Sequence, residues 1–277
     1  GRRVTGILRA VRRAAVVQWV GPFVEKITGK RRACRREPRG DILGGMKASW
    51  QWKEEGELSR KFSDRAEVAA YDERHGRFRD IEGEVAAALA GLGAGEGQVV
   101  ADFACGTGAF ALRAARVCRR VLAIDLSAPM LDYVAWRARE AGLDNIVCLR
   151  GGFLSYVHES EPVDALHTSL GLHHLPDFWK AKALTRLAEM IKPGGRLHLM
   201  DVVFQLEHLE TNIEAWLGQS EERGGPEVAE SIRAHLSREY STYDWILEGL
   251  LERAGFRIDQ AISTGGVLGD YFCTRAG

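Results

Sequence analysis

The sequence predicts an α/β domain: a seven-stranded, mostly parallel sheet with helices on both faces. Three observations predict it. From residue 98 onward, short apolar runs alternate with segments whose apolar residues recur at helical spacing. The first run, in Val99-Val-Ala-Asp-Phe-Ala-Cys-Gly-Thr-Gly-Ala-Phe-Ala111, ends in a tight glycine turn that leads into a helix start. The second run, Val121-Leu-Ala-Ile-Asp125, closes on an acidic residue nineteen positions after Gly106.

The elements follow in order. Residues 1–45 carry 12 Lys/Arg against 3 Asp/Glu and read as a basic extension, poorly ordered or not native, without a catalytic role. An Arg-rich, acid-poor stretch also resembles an organelle transit peptide. Residues 46–97 read as N-terminal helices forming a lid. The pattern is helical from about Ser59 to Leu92, with Ile81, Val85, Ala88 and Leu89 on one face, and Gly91 to Gly97 break it. The core, residues 98–277, has strands expected near 98–103, 120–125, 145–150, 162–168 and 195–203. Its helices are expected near 108–117, 128–141 and 178–191. Ser127 is a plausible N-cap with Pro129 in the first turn, and Pro193-Gly-Gly195 stops the third of these helices. Residues 205–240, with eight Glu against three Arg, read as a helical insertion broken at Gly224-Gly-Pro226. A last helix near 243–254 and two strands near 256–261 and 268–274 complete the sheet.

Composition narrows the function. The chain has 277 residues, 45% hydrophobic and 27% charged. Net charge is zero overall, but residues 46–277 hold 26 basic and 35 acidic side chains. An acidic body argues against nucleic acid as the partner. Cys34, Cys105, Cys118, Cys148 and Cys273 lack metal-ligand or disulfide spacing, which fits reduced thiols in the cytoplasm and no metal site. No apolar run reaches the roughly 18 residues of a membrane span. Oligomeric state, monomer or homodimer, is left open.

The glycine turn and Asp125 describe a nucleoside-cofactor site. Gly106-x-Gly108-x-x-Ala111 formally satisfies a dinucleotide fingerprint, with Asp125 at the expected distance. Asp102 argues against hydride chemistry. It would repel a pyrophosphate and attract a cationic sulfonium and ammonium. Only one nucleoside half is evident.

The downstream segments point the same way. Val100 to Gly108, Val121 to Leu131, Leu170-Gly-Leu-His-His-Leu-Pro-Asp177 and Ile191-Lys-Pro-Gly-Gly-Arg-Leu197 together resemble the class I S-adenosylmethionine-dependent methyltransferases. The resemblance covers about Phe62 to Thr274. It is nearest to the broad group of quinone-biosynthesis and small-molecule enzymes, and it implies a Rossmann-like fold. The cofactor implied is S-adenosyl-L-methionine, with S-adenosyl-L-homocysteine as product. The resemblance implies that Asp102, Ala104, Cys105, Gly106 and Gly108 wrap the methionine end, and that Asp125 holds the ribose. Leu126 and Met130 would lie against the adenine, Gly152 and Phe153 on its other face, and Leu170 beside the ribose and methionine. Tyr71 would cover the cofactor from the N-terminal helix. Two residues depart from the pattern. Ala104 stands where glycine is common, and Gly152 where an Asp usually accepts from the adenine amino group, a loss worth about 1 kcal/mol.

Methyl transfer by direct SN2 displacement needs orientation, desolvation and, for a protonated acceptor, a base. His173 is the candidate base, against a structural-turn reading for both His173 and His174. His167 reads as a hydrogen-bonded core residue and His75 as an ordinary helix residue. Ser169-Leu-Gly-Leu172 lacks the Asn/Asp-Pro-Pro-Tyr/Phe of enzymes that methylate exocyclic amines of bases. Trp216, Tyr240, Tyr243 and Trp245 are candidates for the acceptor pocket, with Trp245 the one more naturally read as packing; Phe178 and Trp179 read as packing or partner contacts. The expected activity is methyl transfer to a small-molecule acceptor. The alternatives are an RNA- or protein-directed enzyme and a non-catalytic binding module of the same fold.

Overall fold

The computed structural model describes residues 50–54, 67, 68, 70, 76 and 79–277. The basic extension, Cys34, Tyr71, His75 and most of the expected lid lie outside the described residues. Helix α1 (Ile81–Leu92) starts at Asp80, whose carboxylate accepts from Gly83 N, and ends at Gly93 in the left-handed region. Then follow β1 (Val99–Phe103), α2 (Ala109–Ala114), β2 (Arg120–Asp125), α3 (Ala128–Glu140), β3 (Ile146–Arg150), β4 (Val163–Ser169), a 3-10 turn at Leu172–His174 and α4 (Asp177–Met190). The long β5 (Ile191–Phe204), α5 (Leu209–Gly224), α6 (Pro226–Arg238), β6 (Thr242–Tyr243), α7 (Asp244–Arg253), β7 (Phe256–Thr264) and β8 (Leu268–Arg275) complete the chain.

The sheet order is β3-β2-β1-β4-β5-β8-β7, with β6 paired to β5 beside this path. Strands β1 to β5 run parallel, and β8 runs antiparallel to both β5 and β7. Seven strands were expected; β6 is the addition, too short to leave a pattern of two-residue alternation. The turn Lys192–Gly195 bulges out of β5, since Ile191 pairs with Val163 but Arg196 with Ala165.

Successive strand residues face opposite sides, and both sides are apolar. Ala101, Phe103, Leu122, Ile124, Leu166, Leu197 and Leu199 pack with Leu184 and Leu187 of α4 and Leu247 and Leu251 of α7. Val100, Val121, Ala123 and Ala165 pack with α1, α2 and α3 through Ala88, Phe110 and Val134. Ser127 caps α3 as expected, its Oγ accepting from Met130 N at 3.3 Å. Among the described residues, no helix is long and apolar enough to cross a membrane.

Candidate active site

A cavity of about 890 Å3 opens at the carboxyl ends of β1, β2 and β4, where open α/β sheets bind ligands. Its floor is the β1–α2 turn. Cys105 N donates to Ile124 O at 3.0 Å and Gly108 N to Cys105 O at 2.8 Å. Asp125 ties this turn to the end of β2, accepting from Gly106 N at 2.9 Å and Ser127 N at 2.8 Å. Of the residues expected at the cofactor, Asp102, Ala104, Cys105, Gly106, Asp125, Leu126, Met130, Gly152, Phe153 and Leu170 all line the cavity.

Gly108 does not. Its φ is +80°, and a Cβ there would lie 2.7 Å from Val134 Cγ2. The position demands glycine for its φ and so that α2 can pack on α3. Ala104 adopts φ +56° and Leu170 φ +52°, the left-handed region that side chains avoid. Both line the cavity, where such strain of about 1 kcal/mol or more is characteristically held. Ala104 fits because residue 171 has no side chain: a Cβ at Gly171 would lie 2.8 Å from Ala104 Cβ.

The electrostatics suit a cationic ligand. Asp102 is buried, with Oδ2 accepting from Ala111 N at 3.0 Å. Burial, reinforced by Asp125, pushes the Asp102 carboxyl well up, and burial raises Asp125 too. A positive group in the cavity would draw both back to carboxylates. Beside Asp102, His167 is hydrogen-bonded, as expected. Its Nδ1 lies 2.8 Å from His198 Nδ1, and His198 Nε2 lies 2.6 Å from Asp270 Oδ1. Burial and His198 hold the His167 pKa well down, so its ring is neutral. His198 and Asp270 also line the cavity and are not among the residues the sequence motifs mark; polar residues inside apolar strands are the signal that points to them.

His173, the expected base, is placed otherwise. It does not line the cavity, whereas His174 does. His173 Nδ1 sits 2.5 Å from Asp201 Oδ1, and Nε2 sits 3.2 Å from Glu239 Oε2. Although burial alone would lower it, these two carboxylates, led by Asp201, raise its pKa to about 9. A protonated imidazole with both nitrogens engaged has no lone pair to accept a proton, so this geometry speaks for a structural turn rather than a base at His173. Asp201 Oδ2 also accepts from Leu172 N at 2.8 Å and His173 N at 3.0 Å, which fixes the turn. His174 is driven the other way, to about 4, by burial and then by the His173 charge. It is neutral at pH 7 and faces the cavity.

Glu239 also hydrogen-bonds His235 Nδ1, whose Nε2 reaches Ser241 Oγ at 2.7 Å. His173, His235 and Glu239 offer ligand-type atoms within 4.8 Å of one another. These contacts run through Glu239 Oε2, which meets both His173 Nε2 and His235 Nδ1. The same segment is bolted down at Tyr240. Its N donates to His173 O at 2.8 Å, and its carbonyl accepts from the buried Lys180, which also holds Asp177 at 2.7 Å.

Of the four aromatic candidates, only Tyr240 borders the cavity, with Trp52 packed edge-on to it. Trp216 packs edge-on to His235, and Tyr243 stacks on Trp245. Trp245 is 63% exposed, so it is not the packing residue it was expected to be; the buried stripe of α7 runs through Leu247 and Leu251 instead. Phe178 is exposed, and Trp179 is buried and stacks on Trp50.

Fold and cavity together define an enzyme-like nucleoside-cofactor protein of the open α/β class. The methyltransferase-domain family profile matches residues 100–195. The uncharacterized methyltransferase GK2543 of Geobacillus kaustophilus is 30% identical over 190 residues, 68% of this chain and 81% of that protein. The demethylmenaquinone methyltransferase of Lactiplantibacillus plantarum is 32% identical over 102 residues, 35% of this chain and 42% of that protein. A solved S-adenosylmethionine-dependent methyltransferase from Aquifex aeolicus shares the fold with a TM-score of 0.55 at 20% identity, covering 78% of this chain and 100% of that one. The chain belongs to the class I S-adenosylmethionine-dependent methyltransferases, and its cofactor is S-adenosylmethionine.

Proposed function

We propose that this enzyme methylates a small, ring-bearing acceptor by direct displacement. The observation that carries the reading is the cavity. At about 890 Å3 it lies near the upper end of small-molecule sites, roughly 300–1,000 Å3, with room for a nucleoside cofactor and a small second ligand. It continues past Leu170 to His174, Leu175, Arg238 and Tyr240. The likeness to a demethylmenaquinone methyltransferase supports a quinol- or phenol-like ring there.

When bound, S-adenosylmethionine supplies a methyl group activated by its sulfonium. Asp102 and the turn to Thr107 take the methionine end, and Asp125 accepts from the ribose hydroxyls. Leu126, Met130 and Phe153 enclose the adenine. Leu170 and Leu175 exclude water from the line of attack. His174, neutral and at the cavity wall, orients the acceptor by a hydrogen bond. With a pKa of about 4 it is too weak a base to deprotonate an ordinary alcohol. An acceptor group that is already nucleophilic or close to ionisation, as a phenol, quinol or thiol is, needs no base from His174.

The test is S-adenosylhomocysteine release on incubation with phenols, reduced quinones and thiols, run beside structured RNA and peptide mixtures. Turnover with a small acceptor is expected. Turnover confined to RNA or protein would overturn the reading.

A further inference from the structure

Past the end of β3 the chain lacks a side chain, and a distant residue fills the space. A Cβ at Gly152 would lie 2.6 Å from Glu54 Oε1 and 2.8 Å from Oε2. The Glu54 carboxylate thus occupies the volume into which a residue 152 side chain would project. Both residues line the cavity. The segment Trp50–Glu54 that delivers it is held by two aromatic contacts. Trp50 stacks on Trp179 with centroids 5.9 Å apart, and Trp52 meets Tyr240 edge-on at 5.4 Å.

The order of strands says what lies beside this carboxylate. The glycine turn follows β1 and Asp125 ends β2, and β3 is the next strand outward. A cofactor with its amino-acid end at the turn and its ribose at Asp125 places its base beyond β2. It would then lie near Gly152, Phe153 and Met130, which line the cavity. We propose that Glu54 reads this base. Its carboxylate accepts a hydrogen bond from the exocyclic amino group of adenine, from the place that a side chain at 152 would otherwise hold. The inference rests on the cofactor assignment above. A carboxylate offers only acceptors, so a base carrying a carbonyl at the same position, as hypoxanthine does, is rejected. Gly151 has a separate reason to be glycine, since a Cβ there would lie 2.7 Å from Tyr156 Cβ.

Calorimetry on the full chain with S-adenosylhomocysteine and S-inosylhomocysteine tests this. Wild type should prefer the adenosine compound by at least about tenfold, as expected for a hydrogen bond to a charged group. Glu54→Ala should weaken S-adenosylhomocysteine by about ten- to hundredfold and reduce the preference to about threefold or less. Glu54→Gln, close in shape and uncharged, should fall between. Gly152→Asp alone crowds two carboxylates into one space and should also weaken binding. Combined with Glu54→Ala, it should recover to within about threefold of wild type. Unchanged or tighter binding by Glu54→Ala, or an unchanged preference between the two compounds, would overturn the proposal while leaving the cofactor assignment intact. Absence of S-adenosylhomocysteine binding by the wild type would instead overturn the assignment itself, and the proposal with it.

Discussion

Replacing His173 by Gln should destabilise the protein in a pH-dependent way that identifies the role of this imidazole. In the folded chain its pKa is raised to about 9 from an ordinary 6.5. At about 1.4 kcal/mol per pH unit, that difference stabilises the fold by roughly 3 kcal/mol. Because the folded value is the higher one, the stabilisation is complete below about 6.5 and disappears as pH rises through about 9. Gln at this position cannot carry the positive charge, and leaves Asp201 and Glu239 facing each other without a cation. Urea denaturation of wild type and variant at about pH 6 and about pH 9.5 reads the effect. The gap should be wider at the lower pH by about 3 kcal/mol from His173 itself, modified by Asp201, Glu239 and His174, whose pKa values His173 shifts. Nuclear magnetic resonance of the ring should place its titration midpoint near 9. A gap that does not change with pH, or a ring titrating near 6.5, would refute the reasoning and reopen His173 as a base.

Further expectations follow from the site. Gly108→Ala adds a methyl 2.7 Å from Val134 Cγ2 at φ +80°, so it should cost about 2–4 kcal/mol in thermal or urea melts; an unchanged midpoint would contradict the packing of α2 on α3. Asp125→Ala should weaken S-adenosylhomocysteine about ten- to hundredfold and also lower stability, because Gly106 N and Ser127 N both lose their acceptor. Equal affinity in calorimetry would remove the ribose assignment. His174→Gln should leave S-adenosylhomocysteine affinity within about twofold but reduce turnover at least about tenfold once an acceptor is known; the reverse pattern would place it at the cofactor. Trp245→Ala, on an exposed face, should change stability by no more than about 0.5 kcal/mol, and a cost several times larger would show that its face is buried in solution.

The alternation of apolar runs and helical stripes made the parallel core legible, because both faces of the sheet are covered and each strand is apolar throughout. The turn at 104–108 and Asp125 were legible because backbone conformation and a short-range acidic contact leave marks in sequence. The network around His173 was not. Asp201, His235 and Glu239 come from β5, α6 and the segment after it, and meet only when the insertion folds back onto the 3-10 turn. A His-His pair gives no sign of which ring turns inward. The structure sends His173 to the carboxylates and His174 to the cavity, and this one-residue difference exchanges their charge states. Trp245 escaped for a related reason. Its neighbours are apolar, but α7 buries the stripe through Leu247 and Leu251.

The two departures from the family pattern are better understood as halves of pairs. Ala104 is tolerated in the tight turn because Gly171, across the cavity wall, leaves room for its methyl. Gly152 leaves room for the carboxylate of Glu54. In each pair one member has atoms where the other has none, and the two are far apart in sequence and adjacent in space. Motif comparison scores each position alone, so it counts Gly152 as a lost hydrogen bond. Volume in the folded chain is shared, and a vacancy of one side chain is a place for another. If Glu54 reads the adenine, the acceptor that the motif places just past β3 comes instead from the segment that also contacts Tyr240 through Trp52. Cofactor recognition and the wall of the acceptor end would then depend on the same five residues, and a substitution in Trp50–Glu54 should alter both cofactor affinity and acceptor preference.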